Sequence, residues 1–268
     1  MLIDAEPFSA QGGSRGALVV HGFTGSPQSM KLIAKALADA GFTVELPLLP
    51  GHGTTVGEMI PMRWADWSGA VEAAYADLAA RCESVVLVGL SMGGTLATWL
   101  ATRHPEIAGI ALVNPLIDGT APFWAAIADA AHQADGPTLP GVGSNIAKPG
   151  VVESAYMEIP VAPLLSLTDA LGELVQDLSQ VTCPVLLFTS PDDHVVDPQS
   201  SVLLAASVSG PVERVELKRS YHVATLDYDA ELIVTRIVAF AQMLGGESSS
   251  PTSSASTKVS GGPGGTSA

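Results

Sequence analysis

The pentapeptide Gly89-Leu90-Ser91-Met92-Gly93 joins two stretches of opposite character. Before it, Ser84-Val85-Val86-Leu87-Val88 is a short apolar run with β-branched residues, the pattern of a buried strand. After it, Gly94-Thr95-Leu96-Ala97-Thr98-Trp99-Leu100-Ala101 reads as a helix. A serine on so sharp a strand-to-helix turn needs glycine on either side, because neighbouring backbone passes too close for a Cβ. The hydroxyl of Ser91 is thereby presented at the carboxyl end of a strand.

The flanking chain repeats the same alternation. Ala17-Leu18-Val19-Val20 is a strand ending at His21-Gly22-Phe23-Thr24-Gly25. Ser26 and Pro27 then supply a cap hydroxyl and a first-turn proline for a helix that runs to Ala40 and stops at Gly41. Phe42 to Leu46 is a strand, Pro47 to Thr55 a loop containing Gly51-His52-Gly53, and Arg63 to Ala80 a helix. Further strands are expected at Ile110 to Val113, Pro184 to Phe188 and Val212 to Leu217, with helices near Gln199 to Ala206 and from Glu231 to Leu244. Apolar strands alternating with helices imply an α/β fold with a mostly parallel sheet covered on both faces. Its active site belongs at the carboxyl ends of the strands.

Between Leu116 and Gln180 the rhythm breaks, with much Pro, Gly and Ala and no convincing strand. Phe123, Trp124, Ile127 and Ala131 recur at helical spacing, and a helix is expected from Thr168 to Leu178. The expected organisation is a core of residues 1–115 and 181–245, a cap insertion over 116–180 that lines a pocket, and a disordered Ser/Thr/Gly/Pro tail over 246–268.

The balance of 12 basic against 27 acidic residues, net −15 without a basic cluster, argues against nucleic acid and against electrostatic docking to anionic lipid. An uncharged substrate suits it better. The exposed part of the Phe123–Trp124 helix could make a weak, purely apolar contact with a lipid surface. Cys82 and Cys183 are too few for a disulfide framework. No apolar leader or membrane-length run is visible, so a soluble cytoplasmic protein is expected. No metal-ligand spacing appears, and no cofactor is expected.

The Gly89–Gly93 turn is similar to the nucleophile elbow of α/β-hydrolases. A serine hydroxyl needs a base, and the base needs an orienting acid. In that fold class the chain order is serine, acid, histidine. His21 and His52 precede Ser91. His104 lies at the far end of the following helix, His132 in the cap, and His194 beside the acid. His222 is left, in the loop before the last helix. The acid belongs after the strand Pro184 to Phe188, where Asp192 and Asp193 both lie. Asp193 is preferred, largely through the resemblance below. The oxyanion donors expected are the backbone N–H groups of Met92 and Phe23. His21 and His52 read as braces for their loops.

Taken together, His21–Gly25, Gly51-His52-Gly53, Gly89–Gly94, Asp193-His194-Val195-Val196 and Ser220-Tyr221-His222-Val223-Ala224-Thr225-Leu226-Asp227 resemble bacterial monoacylglycerol lipases and the related carboxylesterases. The resemblance spans about Ala5 to Leu244. It implies hydrolysis of a single-chain acyl ester by Ser91, Asp193 and His222, with broad short-chain carboxylesterase activity as the alternative. It also implies a head-group acid in the cap, at a Tyr-Glu step. Here the step departs from that pattern: in Tyr156-Met157-Glu158, Met157 takes the expected place and the acid comes one residue late, and Glu158 joins Phe123, Trp124 and Ile127 as an expected substrate-binding residue.

Overall fold

The computed structural model describes residues 2–244; the expected tail over 246–268 lies outside them. In chain order the elements are β1 (Phe8–Ala10), β2 (Arg15–Val20), α1 (Lys31–Asp39), β3 (Thr43–Leu46), α2 (Val56–Met59), α3 (Trp64–Arg81), β4 (Ser84–Leu90), α4 (Met92–Arg103) and β5 (Gly109–Val113). There follow α5 (Pro122–His132), β6 (Thr138–Pro140), β7 (Glu158–Pro160), α6 (Val161–Asp177), β8 (Val185–Thr189), α7 (Gln199–Ser207), β9 (Val212–Glu216) and α8 (Ala230–Leu244).

Seven strands form one sheet in the order β1-β3-β2-β4-β5-β8-β9. Every pairing in it is parallel except β1 with β3. Side chains alternate between two apolar layers. Leu18, Val20 and Leu87 pack with Trp67 and Val71 of α3 and Leu96 and Leu100 of α4. Ala17, Val19, Val86 and Val88 pack with Ile33 and Leu37 of α1 and Ile233, Ile237 and Phe240 of α8. The central strands are therefore apolar at nearly every position, which made them readable. β9 at the open edge carries exposed charge, and Glu213 pairs with Arg236 of α8. Charge on an edge strand discourages pairing with another chain.

The structure departs from the expected elements where local signals are weak. β1 has three residues, none fully buried, so it carries no periodicity to read. Ser26 opens a 3₁₀ turn (Pro27–Met30) ahead of α1, but its hydroxyl is not a cap; it is buried with no hydrogen-bond partner among the described residues. The 116–180 segment does contain strands, since β6 and β7 pair antiparallel. α6 begins seven residues earlier than expected: Pro163 sits in its first turn, where a missing N–H removes no helical bond.

Candidate active site

From β2 the chain moves outward to β3, then returns across β2 to β4. The loops after β2 and β4 therefore diverge at the strand carboxyl ends and leave a crevice, the place where open α/β sheets bind ligands. Ser91 stands at its edge with φ 54° and ψ −118°, a region costly for a residue with a side chain. The turn holds it there: Ser91 N–H donates to Val113 O at 3.0 Å, and Ser91 O accepts from Thr95 N–H at 3.1 Å. A Cβ on Gly89 would collide with Gly93 O, and one on Gly93 would collide with Val20 O. Both glycines are thus obligatory for this geometry.

After β8, Asp193 turns back on its own loop. Its Oδ1 accepts the Val195 and Val196 N–H groups at 2.8 and 2.9 Å. Its Oδ2 lies 2.7 Å from His222 Nδ1. Both side chains are almost wholly buried. Burial is the largest influence on His222 and favours its neutral form. The Asp193 charge and hydrogen bond, with a further contribution from Glu153, outweigh it and raise the imidazole above the ordinary histidine range. Asp192, the other acid considered, makes no such bond.

Ser91 and His222 line one pocket. Among the described residues no hydrogen bond joins the two, a contact that commonly tightens only when substrate enters. Phe23 lines the same pocket, and Met92 begins α4 directly after Ser91. Neither backbone N–H donates to a protein acceptor among the described residues.

The flanking histidines brace this rim. His21 Nε2 accepts the Leu49 N–H at 3.2 Å, so the proton sits on Nδ1, 3.0 Å from Gly22 O. Burial lowers the His21 pKa to about 4 and that of His52 to about 3, keeping both neutral. His52 packs edge-on against His21, Phe23 and Trp67.

The substrate-binding expectations divide. Trp124 and Ile127 line the pocket with Leu116, Leu164 and Tyr156. Phe123 does not; it is 41% exposed, one residue and so about 100° round the helix from the buried Trp124. Glu158 is also misplaced by the sequence reading. Residues 156–158 are not helical, and Glu158 is exposed on β7, accepting from Thr138 Oγ1 at 2.8 Å. The acid in the pocket is Glu153, half-buried, its carboxyl pushed up to about 7 by desolvation. It lies in irregular chain, where no periodicity reports direction.

Two more polar residues were missed. Asn114 (φ 44°) gives Nδ2 to Ser190 Oγ and to His222 O, and accepts the Ser190 N–H, tying the loops after β5, β8 and β9 together. Asn145, from the segment between β6 and β7, accepts the His222 N–H through Oδ1 at 2.9 Å. Both are side-chain-to-backbone ties across more than 70 residues, invisible to spacing.

Residues 17–235 match the α/β hydrolase family. The chain is 42% identical to a thermostable monoacylglycerol lipase of Bacillus sp. (strain H-257), over 90% of this chain and 95% of the relative. It is 23% identical to a carboxylesterase of Bacillus subtilis (strain 168), over 91% and 98% respectively. A solved structure described among metagenome-derived lipolytic enzymes superposes with a TM-score of 0.86 at 40% identity, covering 91% of this chain and 99% of that one. A Paleococcus ferrophilus monoacylglycerol lipase structure, at 21% identity and a TM-score of 0.72 over 90% and 100%, shares the fold. With the family match covering most of its length, the chain belongs to the α/β-hydrolase family.

Proposed function

We propose that this protein is a serine ester hydrolase that cleaves monoacylglycerols to fatty acid and glycerol. The observation carrying the proposal is the 2.7 Å contact between Asp193 and His222 beside the strained Ser91, all on one rim. The 42% identity to a monoacylglycerol lipase supports the choice of substrate.

In this reading His222 takes the Ser91 proton as Oγ attacks the ester carbonyl. The Phe23 and Met92 N–H groups receive the oxyanion; losing one such donor typically costs about 3 kcal/mol of transition-state stabilisation. His222 then passes its proton to the leaving alcohol, and the acyl group stays on Ser91. Water, deprotonated by the same imidazole, attacks the acyl-enzyme, and the fatty acid leaves as His222 returns the proton to Ser91. Asp193 fixes the imidazole tautomer and stabilises its charged form. The acyl chain lies against Leu116, Trp124, Ile127 and Leu164, and the glycerol hydroxyls face Glu153.

Phe123, Val142, Val152 and Met157 are exposed apolar residues of the cap segment, which holds Lys148 as its one basic side chain against eight acids. This composition supports contact with an uncharged lipid surface rather than an anionic one. Among the described residues no helix is long and apolar enough to cross a membrane.

The test compares 1-acylglycerols with simple alkyl esters of equal chain length. Preference for the glycerol esters, abolished with all turnover in Ser91→Ala, is expected. Equal rates on both would favour a broad carboxylesterase, and near-normal turnover by Ser91→Ala would remove the serine mechanism.

A further inference from the structure

Two hollows share α6 as a wall. The first is the pocket over Ser91, to which α6 contributes Leu164. The second is an open groove lined by Thr120, Thr168, Leu171, Gly172, Val175 and Leu203 among others. Leu164 and Thr168 are one helical turn apart, so the hollows follow each other along one side of α6. The loop after β5 tracks the same boundary, with Leu116 in the pocket and Asp118 in the groove.

Trp124 links them through one hydrogen bond. It lines the pocket and is only 7% exposed. Its Nε1–H donates to Thr168 Oγ1 at 3.1 Å, and that hydroxyl donates to Leu164 O at 3.0 Å. The ring is therefore pinned by a residue that belongs to the groove. The reaction uses neither this bond nor the groove beyond it.

We propose that the Trp124–Thr168 pair is a partition that sets the longest acyl chain the enzyme accepts, and that the groove is the space a longer chain enters once the partition is removed. This rests on the ester-hydrolase reading above. Each methylene buried in apolar surroundings contributes about 0.8 kcal/mol, roughly fourfold in affinity. The gain per methylene ends where the terminal methyl meets the indole. Beyond it, Leu171, Val175 and Leu203 offer apolar walls, and Gly172 leaves room: a Cβ there meets nothing within 4 Å. Thr168→Val keeps the side-chain volume but removes the acceptor, so the indole loses its pin.

The experiment measures kcat/KM for 4-nitrophenyl esters from butyrate to palmitate. The proteins are wild type, Trp124→Ala, Trp124→Leu, Thr168→Val and the double variant Trp124→Ala/Gly172→Phe, each checked for folding by thermal melting. In wild type, kcat/KM should climb with length and then break. Trp124→Ala should move the break to longer chains, raising the long-to-short ratio by about tenfold or more, the worth of two methylenes. Thr168→Val should move it the same way by less, and adding Gly172→Phe should move it back. Trp124→Leu, which keeps more apolar volume, carries the test if the alanine variant does not fold. An unmoved break in the folded Trp124 variants overturns the partition. A shift that Gly172→Phe fails to reverse overturns the role of the groove. If wild type hydrolyses none of these esters, the ester-hydrolase reading fails and the partition with it; turnover with an unmoved break sinks the partition alone.

Discussion

Glu153 is a carboxyl group in a largely apolar pocket whose nearest charged influence is the imidazole of His222. Desolvation raises the acid to about 7, and its charge helps raise His222 above the ordinary histidine range. A general base must be neutral, so kcat/KM on a simple ester should rise with pH through the His222 pKa. Removing the Glu153 charge removes one influence that favours imidazolium. The acid limb of the profile in Glu153→Gln should therefore move to lower pH than in wild type. An unmoved limb, or one moved to higher pH, would mean that the two groups do not sense each other. With monoacylglycerols the same variant should also show a raised KM, since the hydroxyl acceptor is weakened. Residue types and order pointed to Ser91, to His222 and to the pair Asp192 and Asp193, because each follows a strand; the family resemblance chose Asp193, and the structure brings Asp193 and His222 into contact. Glu153 was not findable in that way: it lies in a segment without periodicity, and its position depends on chain from elsewhere.

That dependence is visible between elements. The segment joining β6 to β7 is strapped to the loop after β9. Asn145 O accepts the Val223 N–H at 3.0 Å, and the buried Asp227 carboxylate accepts the N–H groups of Ala147, Lys148, Tyr221 and Tyr228 at 2.6 to 3.0 Å. One carboxylate thus sets the spacing between the pocket wall and the loop that carries His222. Asp227→Asn keeps the shape but turns one acceptor into a donor facing donors. It should cost about 1–3 kcal/mol, the usual penalty for buried groups left unpaired. kcat should fall more than KM rises, because the base is displaced while the pocket persists. A melting temperature and kcat both equal to wild type would show that the strap is not needed. The same bonds explain why residues 116–180 were the least legible part of the fold. β4, its turn and α4 follow from local periodicity and two glycines, whereas residues 141–157 take their path from long-range bonds that leave no trace in spacing. The Tyr156 hydroxyl is another such bond, donating to Gly51 O at 2.8 Å across 105 residues.

For the molecule as a whole, neutral buried histidines under the active-site rim make stability depend on pH. His21 and His52 are depressed to about 4 and about 3, against 6.5 in their unperturbed state. Below pH 6.5 the unfolded chain binds protons that the folded one refuses, so stability is full above 6.5 and falls as pH drops toward the folded values. Each such group steepens the fall by up to about 1.4 kcal/mol per pH unit. His52→Gln should flatten the decline of melting temperature between pH 6.5 and 4 relative to wild type. His222 titrates in the opposite sense but is present in both proteins and cancels. An equal slope in the two would contradict a neutral His52. The proposed hydrolysis requires Ser91 to become covalently acylated with help from His222 and Asp193. The most direct measurement treats the protein with a fluorophosphonate and maps the adduct by mass spectrometry. One adduct per chain on Ser91 is predicted, formed far more slowly in His222→Ala and Asp193→Asn. An adduct on another residue, or labelling of Ser91 that is equally fast without His222, would contradict it.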